Sequence, residues 1–488
     1  MAENQTNLAW DVLLAPLGAR GRGESAGGPL YWRLARALRE AVCAQRIPVG
    51  AALPPSRLLA AELGCSRWVV TQAYDQLVAE GYLEARAGSA TRVRHPAAIT
   101  ENRRRAEPPS IPPSIAKPHI DLIPGLPDLR AFPRRGWADA VQQGLTQAAP
   151  AELGSSPPAG HPRLRDVLAG YLRRVRGADA DAQDVLVCRG IRDGIGLTCR
   201  ALRQAGLARL GVEEPCWAQV RQAAEGAGID CVPIAVDDAG LKVADLYAHR
   251  DLRAVAVSPA HQFPTGAVMA PERRAELLDW AESVDGIVLE DDYDAEFRYD
   301  REPVGVLQGT ARARVALFGS VSKTLSPGLG LGWAVVPRAW VPRVLAQRQP
   351  AAPPAVPEQL ALAGFIESGA YDRHLRAARQ RYRARRAALI EALYAGPPAV
   401  RVTGADAGLH LVARFDGAGG VGWGTRVVGA AAALGLRISP LDFYRGGPSD
   451  GERVLVLGYG NLPDHVVAQA AGLVRAAVIA ASAPGGRA

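Results

Sequence analysis

Lysine is nearly absent from this chain. Of 57 basic residues only Lys117, Lys242 and Lys323 are lysines, and arginine carries the rest. A guanidinium stays protonated and forms no Schiff base, so any amine chemistry falls to those three side chains. Cysteine is sparse as well. The six thiols (Cys43, Cys65, Cys188, Cys199, Cys216 and Cys231) show neither a Cys-x-x-Cys pair nor Cys/His ligand spacing. That pattern predicts reduced, mostly buried thiols and argues against a metal site. No uninterrupted apolar run reaches the roughly 18 residues of a membrane span, which argues against a membrane partner. The opening Met1-Ala-Glu-Asn-Gln-Thr-Asn7 lacks the basic start of a secretory leader, so a cytoplasmic protein is expected.

What is present describes an ordinary globular protein, with 48% hydrophobic and 22% charged residues. At 488 residues the chain exceeds a single core and implies two or three domains. Its net charge is +8, and residues 1–105 hold 14 arginines against 9 acidic residues, so that first fifth carries five of the eight. Such asymmetry hints at a polyanionic partner.

After a tail over residues 1–28, Leu30, Leu34, Leu38 and Val42 repeat every four residues and predict a helix from Pro29 to Gln45. Leu53-Pro-Pro-Ser-Arg57 offers Ser56 as the N-cap of a second helix running to about Leu63, and Gly64 ends it. Ser66 caps a third helix reaching Glu80, with Val69, Val70, Ala73, Tyr74, Leu77 and Val78 inward and Arg67, Trp68, Thr71, Gln72 and Asp75 outward. Two short helices around a glycine turn, then a hairpin over 82–93, read as a winged helix-turn-helix spanning 29–95. Arg67 at a helix start suits guanine edges or phosphate in the major groove, and Arg57 suits backbone phosphate. Gly88, Ser89 and Thr91 at the wing tip permit close approach to the minor groove. The competing reading is a three-helix packing module with a solvated basic face.

Residues 96–119 form a tether containing Arg103-Arg-Arg105 and repeated prolines, without hydrophobic periodicity. From 120 to 484, apolar strands alternate with amphipathic helices, the signature of an α/β fold with a largely parallel sheet. Five strands end in polar or aromatic loops: after Val187, after Val212, after Val257, after Leu289 and after Phe318. In open α/β sheets such carboxyl ends share one edge, where ligands bind.

The last of these loops holds Lys323, within Phe318-Gly-Ser-Val-Ser-Lys-Thr-Leu-Ser-Pro-Gly-Leu-Gly-Leu-Gly-Trp333. Lys117 in the tether and Lys242 in a polar segment read as solvated, so Lys323 is the amine placed for chemistry. One ligand would account for the other loops. Pyridoxal phosphate needs an amine for its aldehyde and a carboxylate for its ring nitrogen. It also needs a donor for its phenolic oxygen, a flat group for its ring face, and amides or hydroxyls for its phosphate. Lys323, Asp291, Tyr293 and Trp217 fill the first four roles in turn. Ser320, Ser322 and the helix start after Gly190 fill the fifth. Each feature alone has a plain structural explanation: an acidic strand end, a core tryptophan, a glycine turn.

Residues 29–94, through Leu53-Pro-Pro-Ser-Arg57, Cys65-Ser-Arg67 and Ala73-Tyr-Asp-Gln-Leu-Val-Ala-Glu-Gly-Tyr82, resemble the winged helix of GntR-type regulators. That resemblance implies operator contacts from Arg57, Ser66, Arg67 and Gly88; Trp68 stands where a smaller polar residue is usual. Residues 120–137, His261-Gln-Phe-Pro-Thr-Gly266, Glu290-Asp-Asp-Tyr-Asp294, Ser322-Lys-Thr-Leu-Ser-Pro327 and Arg373-His-Leu-Arg376 resemble the fold-type-I aminotransferase-like domain of MocR-type regulators. The resemblance spans about residues 29–480. It implies a pyridoxal phosphate-dependent regulator, a head-to-tail, domain-swapped homodimer sensing the cofactor or an amine effector, with His261 or Gln262 near the ring oxygen. Three departures from the family pattern stand out. Gly330 replaces a phosphate-clamping arginine. Ile191, Arg192 and Asp193 replace small or amide residues, and Arg192 is the candidate substitute for the missing guanidinium. Val456 replaces the arginine that grips a substrate α-carboxylate. The readings in play are therefore a regulator binding pyridoxal phosphate, an aminotransferase with a DNA-binding appendage, and a regulator that no longer holds the cofactor covalently.

Overall fold

The computed structural model describes residues 29–85, 90–94, 120–154, 156–299, 304–348, 352–447 and 451–482. These belong to two compact units, one within residues 1–116 and the other within 117–488. The tail over 1–28, the tether over 96–119 and Gly88 lie outside the described residues.

The first unit holds α1 (Leu30–Cys43), α2 (Ser56–Glu62) and α3 (Arg67–Ala79), followed by β1 (Leu83–Glu84) and β2 (Arg92–Val93). The two strands pair antiparallel with Leu83 opposite Val93. Leu34, Leu38, Leu59, Val70, Ala73, Leu77, Leu83 and Val93 meet in one core. Leu30 is exposed, because the contribution of α1 to that core begins at Leu34. Val69 and Val78 lie at its margin, only partly buried. Ser66 caps α3 as expected, its hydroxyl accepting from Val69 N at 3.4 Å. The cap of α2 differs from expectation. Pro55, at φ −53° and ψ 140°, turns the chain into the helix, and Ser56 stands inside its first turn.

The second unit is built on an eight-stranded sheet. In chain order its strands are β3 (Val185–Cys188), β4 (Arg209–Glu214), β5 (Asp230–Asp237), β6 (Gly240–Leu241), β7 (Ala254–Val257), β8 (Ile287–Asp291), β9 (Val315–Ser320) and β10 (Gly332–Val335). Their spatial order is β3-β10-β9-β8-β7-β4-β5-β6. The run β9-β8-β7-β4-β5 is parallel throughout, while β10 and the short edge strand β6 run antiparallel to their neighbours. Both faces are covered, as parallel sheets require. Along β9, Ala316 and Phe318 enter one core with Leu186, Ile195 and Leu202, whereas Leu317 enters another with Val187 and Trp333.

A smaller four-stranded antiparallel sheet follows, made from Val400–Thr403, His410–Phe415, Val454–Gly458 and Ser439–Pro440. Ile120–Asp121 pairs parallel with Leu436–Arg437, so the chain returns from this region and carries Pro124-Gly125-Leu126 toward the large sheet. The helical stretch Asp464–Ser482 is long and apolar enough to cross a membrane by length and composition. Val467, Ala470, Ala471, Val474, Ala477 and Val478 are nevertheless buried in the main core, which accounts for its composition.

Candidate functional site

The carboxyl ends of β4, β7, β8 and β9, with the loop after β3, surround a cavity of about 450 Å³, within the range of small-molecule sites. Lys323, Asp291, Tyr293, Trp217, Ser320, Ser322, Ile191 and Arg192 all line it. His261 stands behind the wall, and Gln262 is turned away from it. The Gln262 amide donates to Pro215 O at 2.8 Å and to Glu213 Oε2 at 3.2 Å, while its oxygen accepts from the Thr265 hydroxyl and N–H at 2.6 and 3.0 Å. Every polar atom of Gln262 is thus spent on shaping its own loop, which corrects the expectation that it meets a ligand oxygen.

Lys323 Nζ donates to the Gly125 carbonyl at 2.7 Å and lies 5.8 Å from the Trp217 ring centroid. Gly125 has φ +111°, and a Cβ there would stand 3.0 Å from that amine, so glycine admits the lysine. Burial lowers the lysine pKa from its ordinary value, with Asp294 and Asp291 pulling the other way. The loop is braced from behind by the helix Ala370–Tyr394: Tyr371 OH donates to Thr324 Oγ1 at 2.9 Å, and His374 Nε2 lies 2.8 Å from Thr324 O.

Asp291 ends β8 and is buried, and its Oδ1 has no hydrogen-bond partner among the described residues. Burial, then the charges of Asp292 and Asp294, push its carboxyl well above the usual carboxylate range. An orphaned buried acid is costly. A cationic N–H placed against it would restore its charge and satisfy the oxygen, and the pyridinium nitrogen of pyridoxal phosphate is such a group. The neighbouring Asp292 faces the opposite way, gripped by the buried Arg176 through Nε–Oδ2 at 2.7 Å and Nη2–Oδ1 at 2.8 Å.

The Tyr293 hydroxyl lies 3.1 Å from His261 Nδ1, which is itself 2.9 Å from Asp294 Oδ2. Burial and the charges of Asp294 and Asp291 hold the phenol protonated, so it keeps a proton to donate. A Cβ at Gly408 would run into both His261 and Asp294. On the far side, Gly190 at φ +120° caps α4 (Ile191–Gln204) with no side-chain cap among the described residues. Arg189 and Arg192 flank that uncapped end, and both line the cavity. Gly330, at φ +58°, contributes no side chain to the wall. Val456 is fully buried with Val412, Leu441 and Val454.

Asp294, Glu213, Gly125 and His410 also belong to this site, and none was assigned a role from sequence. Asp294 closes the acidic run that drew attention to Asp291, and Gly125 follows a proline in a turn-like stretch. Nothing local distinguishes Glu213 at a strand end or His410 within an apolar strand.

In the first unit, Arg57, Ser66 and Arg67 are exposed. Arg67 Nε donates to Ser56 Oγ at 3.4 Å, and the Thr71 hydroxyl donates to Arg67 O at 3.0 Å. Trp68 is 61% exposed and meets Tyr31 edge-on, with ring centroids 5.8 Å apart.

Residues 30–93 match the family described as bacterial regulatory proteins, gntR family, and residues 127–434 match aminotransferase class I and II. The chain is 32% identical over 434 residues to the HTH-type pyridoxine biosynthesis transcriptional regulator PdxR of Corynebacterium glutamicum, covering 88% of this chain and 91% of that one. It is 33% identical over 482 residues to the probable rhizopine catabolism regulatory protein MocR of Rhizobium meliloti, covering 94% and 95%. Among solved structures, a Pyrococcus horikoshii kynurenine aminotransferase superposes with a TM-score of 0.66 at 23% identity, covering 74% of this chain and 90% of that one. This last likeness is one of fold.

Proposed function

Because the chain belongs to the MocR-type GntR transcription regulators, in which a DNA-binding winged helix is joined to an aminotransferase-like domain of the pyridoxal phosphate-binding fold, we propose that occupancy of the cavity around Lys323 sets its affinity for operator DNA. The observation that carries this reading is the unpartnered Oδ1 of Asp291 in the same cavity as a part-buried lysine of lowered pKa. Lys323 is the amine for the cofactor aldehyde, and Asp291 the partner of the ring nitrogen. Tyr293, oriented by His261, serves the phenolic oxygen, and Trp217 covers the ring face. Ser320, Ser322, the uncapped N–H groups of α4 and the Arg192 guanidinium receive the phosphate, with Arg192 standing in for the side chain Gly330 lacks. When bound, pyridoxal phosphate supplies a visible chromophore and an aldehyde for which an effector amine competes. Arg57, Ser66 and Arg67 hold the operator, and the protein acts in the cytoplasm as a homodimer.

Regulation rather than turnover is favoured by Val456, which places a buried methyl-bearing side chain, and no bidentate cation, in the small sheet. The cofactor or an amine acts as a ligand with differential affinity for two arrangements of the protein, which is the thermodynamic requirement for control. The deciding experiment titrates full-length protein with pyridoxal phosphate. A visible band shifted from that of the free aldehyde is expected in the wild type and absent in Lys323→Ala. No shift in the wild type would sink the proposal. Steady transamination across an amino acid panel would instead move the protein among the enzymes.

A further inference from the structure

The cavity divides by charge. Its cations are Arg189 and Arg192 beside the start of α4, and Lys323 in the middle. The side reached from β4 and β7 has none among the described lining residues. Glu213 and Asp294 stand there with Phe263, Leu409 and His410. Phe263 is the hub of an aromatic wall. Its ring meets Tyr293 at 6.1 Å, His410 at 5.1 Å and Tyr444 at 5.0 Å between centroids, edge to face each time. Burial, then the neighbouring His261, hold the His410 imidazole well below its usual pKa, so it presents no positive charge. Its Nε2 lies 3.3 Å from Pro264 O, a contact that a ring N–H would make and a carboxylate could not share.

We infer that this aromatic, acid-bearing side of the cavity receives the body of a primary amine that carries no carboxylate, and that this chemistry is the effector class. The inference rests on the cofactor reading above and narrows it. An amino acid whose amine competes with Lys323 for the cofactor aldehyde, its carboxylate turned to this side, would set that carboxylate against Phe263, Leu409 and the carboxyls of Glu213 and Asp294. There it would lose water and find no cation among the described lining residues beyond Lys323 itself, the nearby Arg386 being paired with Asp406 at 2.7 Å. An apolar or aromatic body gains instead, packing against Phe263 and Leu409 as apolar surface leaves water. A second cationic group is tolerated, because the aromatic faces and the two carboxyls attract it. One unpaired buried charge or hydrogen-bonding group is worth roughly 5- to 150-fold in affinity, and a carboxylate is at the charged end of that range, so the discrimination between an amine and its carboxylated counterpart is expected to be on the order of tenfold or more.

Matched pairs test this: 2-phenylethylamine against phenylalanine, and n-butylamine against 2-aminopentanoate, each titrated calorimetrically into full-length protein first loaded with pyridoxal phosphate. Tighter binding of the amine in both pairs, by about tenfold or more, is the expected result. Phe263→Arg is expected to invert the order. Should that variant fail to fold, the wild-type pairs decide alone. Equal binding, preference for the amino acids, or no binding of either member overturns the inference. The two readings fail separately: absence of any cofactor signal in the loading step removes the cofactor site itself, whereas normal loading followed by amino acid preference removes only the effector class.

Discussion

Arg192 is where the cofactor reading is most exposed to refutation. It is the second residue of α4, its side chain is exposed at the cavity mouth, and it forms no hydrogen bond or ion pair among the described residues. Replacing it with alanine therefore removes no contact that the fold depends on, and any effect on ligand binding belongs to the ligand. A charge-assisted hydrogen bond to phosphate contributes about 1.5–3 kcal/mol. Solvent screening at an exposed position trims that to roughly 1–2 kcal/mol. At 1.4 kcal/mol per decade, Arg192→Ala should weaken pyridoxal phosphate by about 5- to 30-fold. Pyridoxal, which has no phosphate, should bind the variant and the wild type alike. Gly330→Arg in the Arg192→Ala background should recover most of the loss. A Cβ at Gly330 meets no heavy atom of the described residues within 4 Å, so there is room. Its φ of +58° costs an L-residue about 1–2 kcal/mol of fold stability, leaving the recovered affinity readable. Absorbance titration with both aldehydes on all three proteins gives the answer. Equal weakening of pyridoxal and its phosphate, or no weakening of either, would show that Arg192 does not hold the phosphate.

Other perturbations follow from the same geometry. Arg176→Ala strands the buried Asp292 carboxylate beside Asp291, and urea denaturation should report a loss of about 3–5 kcal/mol; a loss near zero would mean the pair is replaceable by water. Glu213 has its carboxyl raised to about 7 by burial, against an ordinary 4.5, so the native state keeps a proton that the unfolded chain releases between those values. Its contribution to stability therefore falls as pH rises from 4.5 to 7 and levels off above, by on the order of 3 kcal/mol at most. Glu213→Gln should flatten that part of the profile and be the more stable protein at pH 8, and parallel melting curves from pH 5 to 8 would contradict it. Arg67→Ala should abolish operator retardation on a gel while leaving the cofactor titration unchanged, since the residue sits in the winged-helix unit. If both responses vanish together, the variant has lost its fold and the assignment fails.

The parts of the site legible in the sequence were those whose chemistry needs a rare residue or a strand-end position. Lys323 stood out because arginine has replaced lysine almost everywhere else, and Asp291 because it ends an apolar strand in an acidic run. The α/β alternation was legible for the same reason: strands buried on both faces read as continuous apolar runs. What stayed hidden is what forms only when distant segments meet. Gly125 reaches Lys323 across 198 residues, and only because Ile120–Asp121 is anchored to Leu436–Arg437. The strand β5 alternates exposed and buried positions and contains Pro233, so its pattern is weaker than that of its neighbours. Gln262 shows the limit from the other side. Its motif placed it near the ligand, but an amide beside a buried acid and three loop partners is consumed by them before any ligand arrives. A buried polar residue near a cavity is free to bind only to the extent that its loop leaves it unsatisfied. By that criterion Asp291, with an orphaned oxygen, is the residue from which the ligand can be inferred, and Gln262, fully bonded, is not.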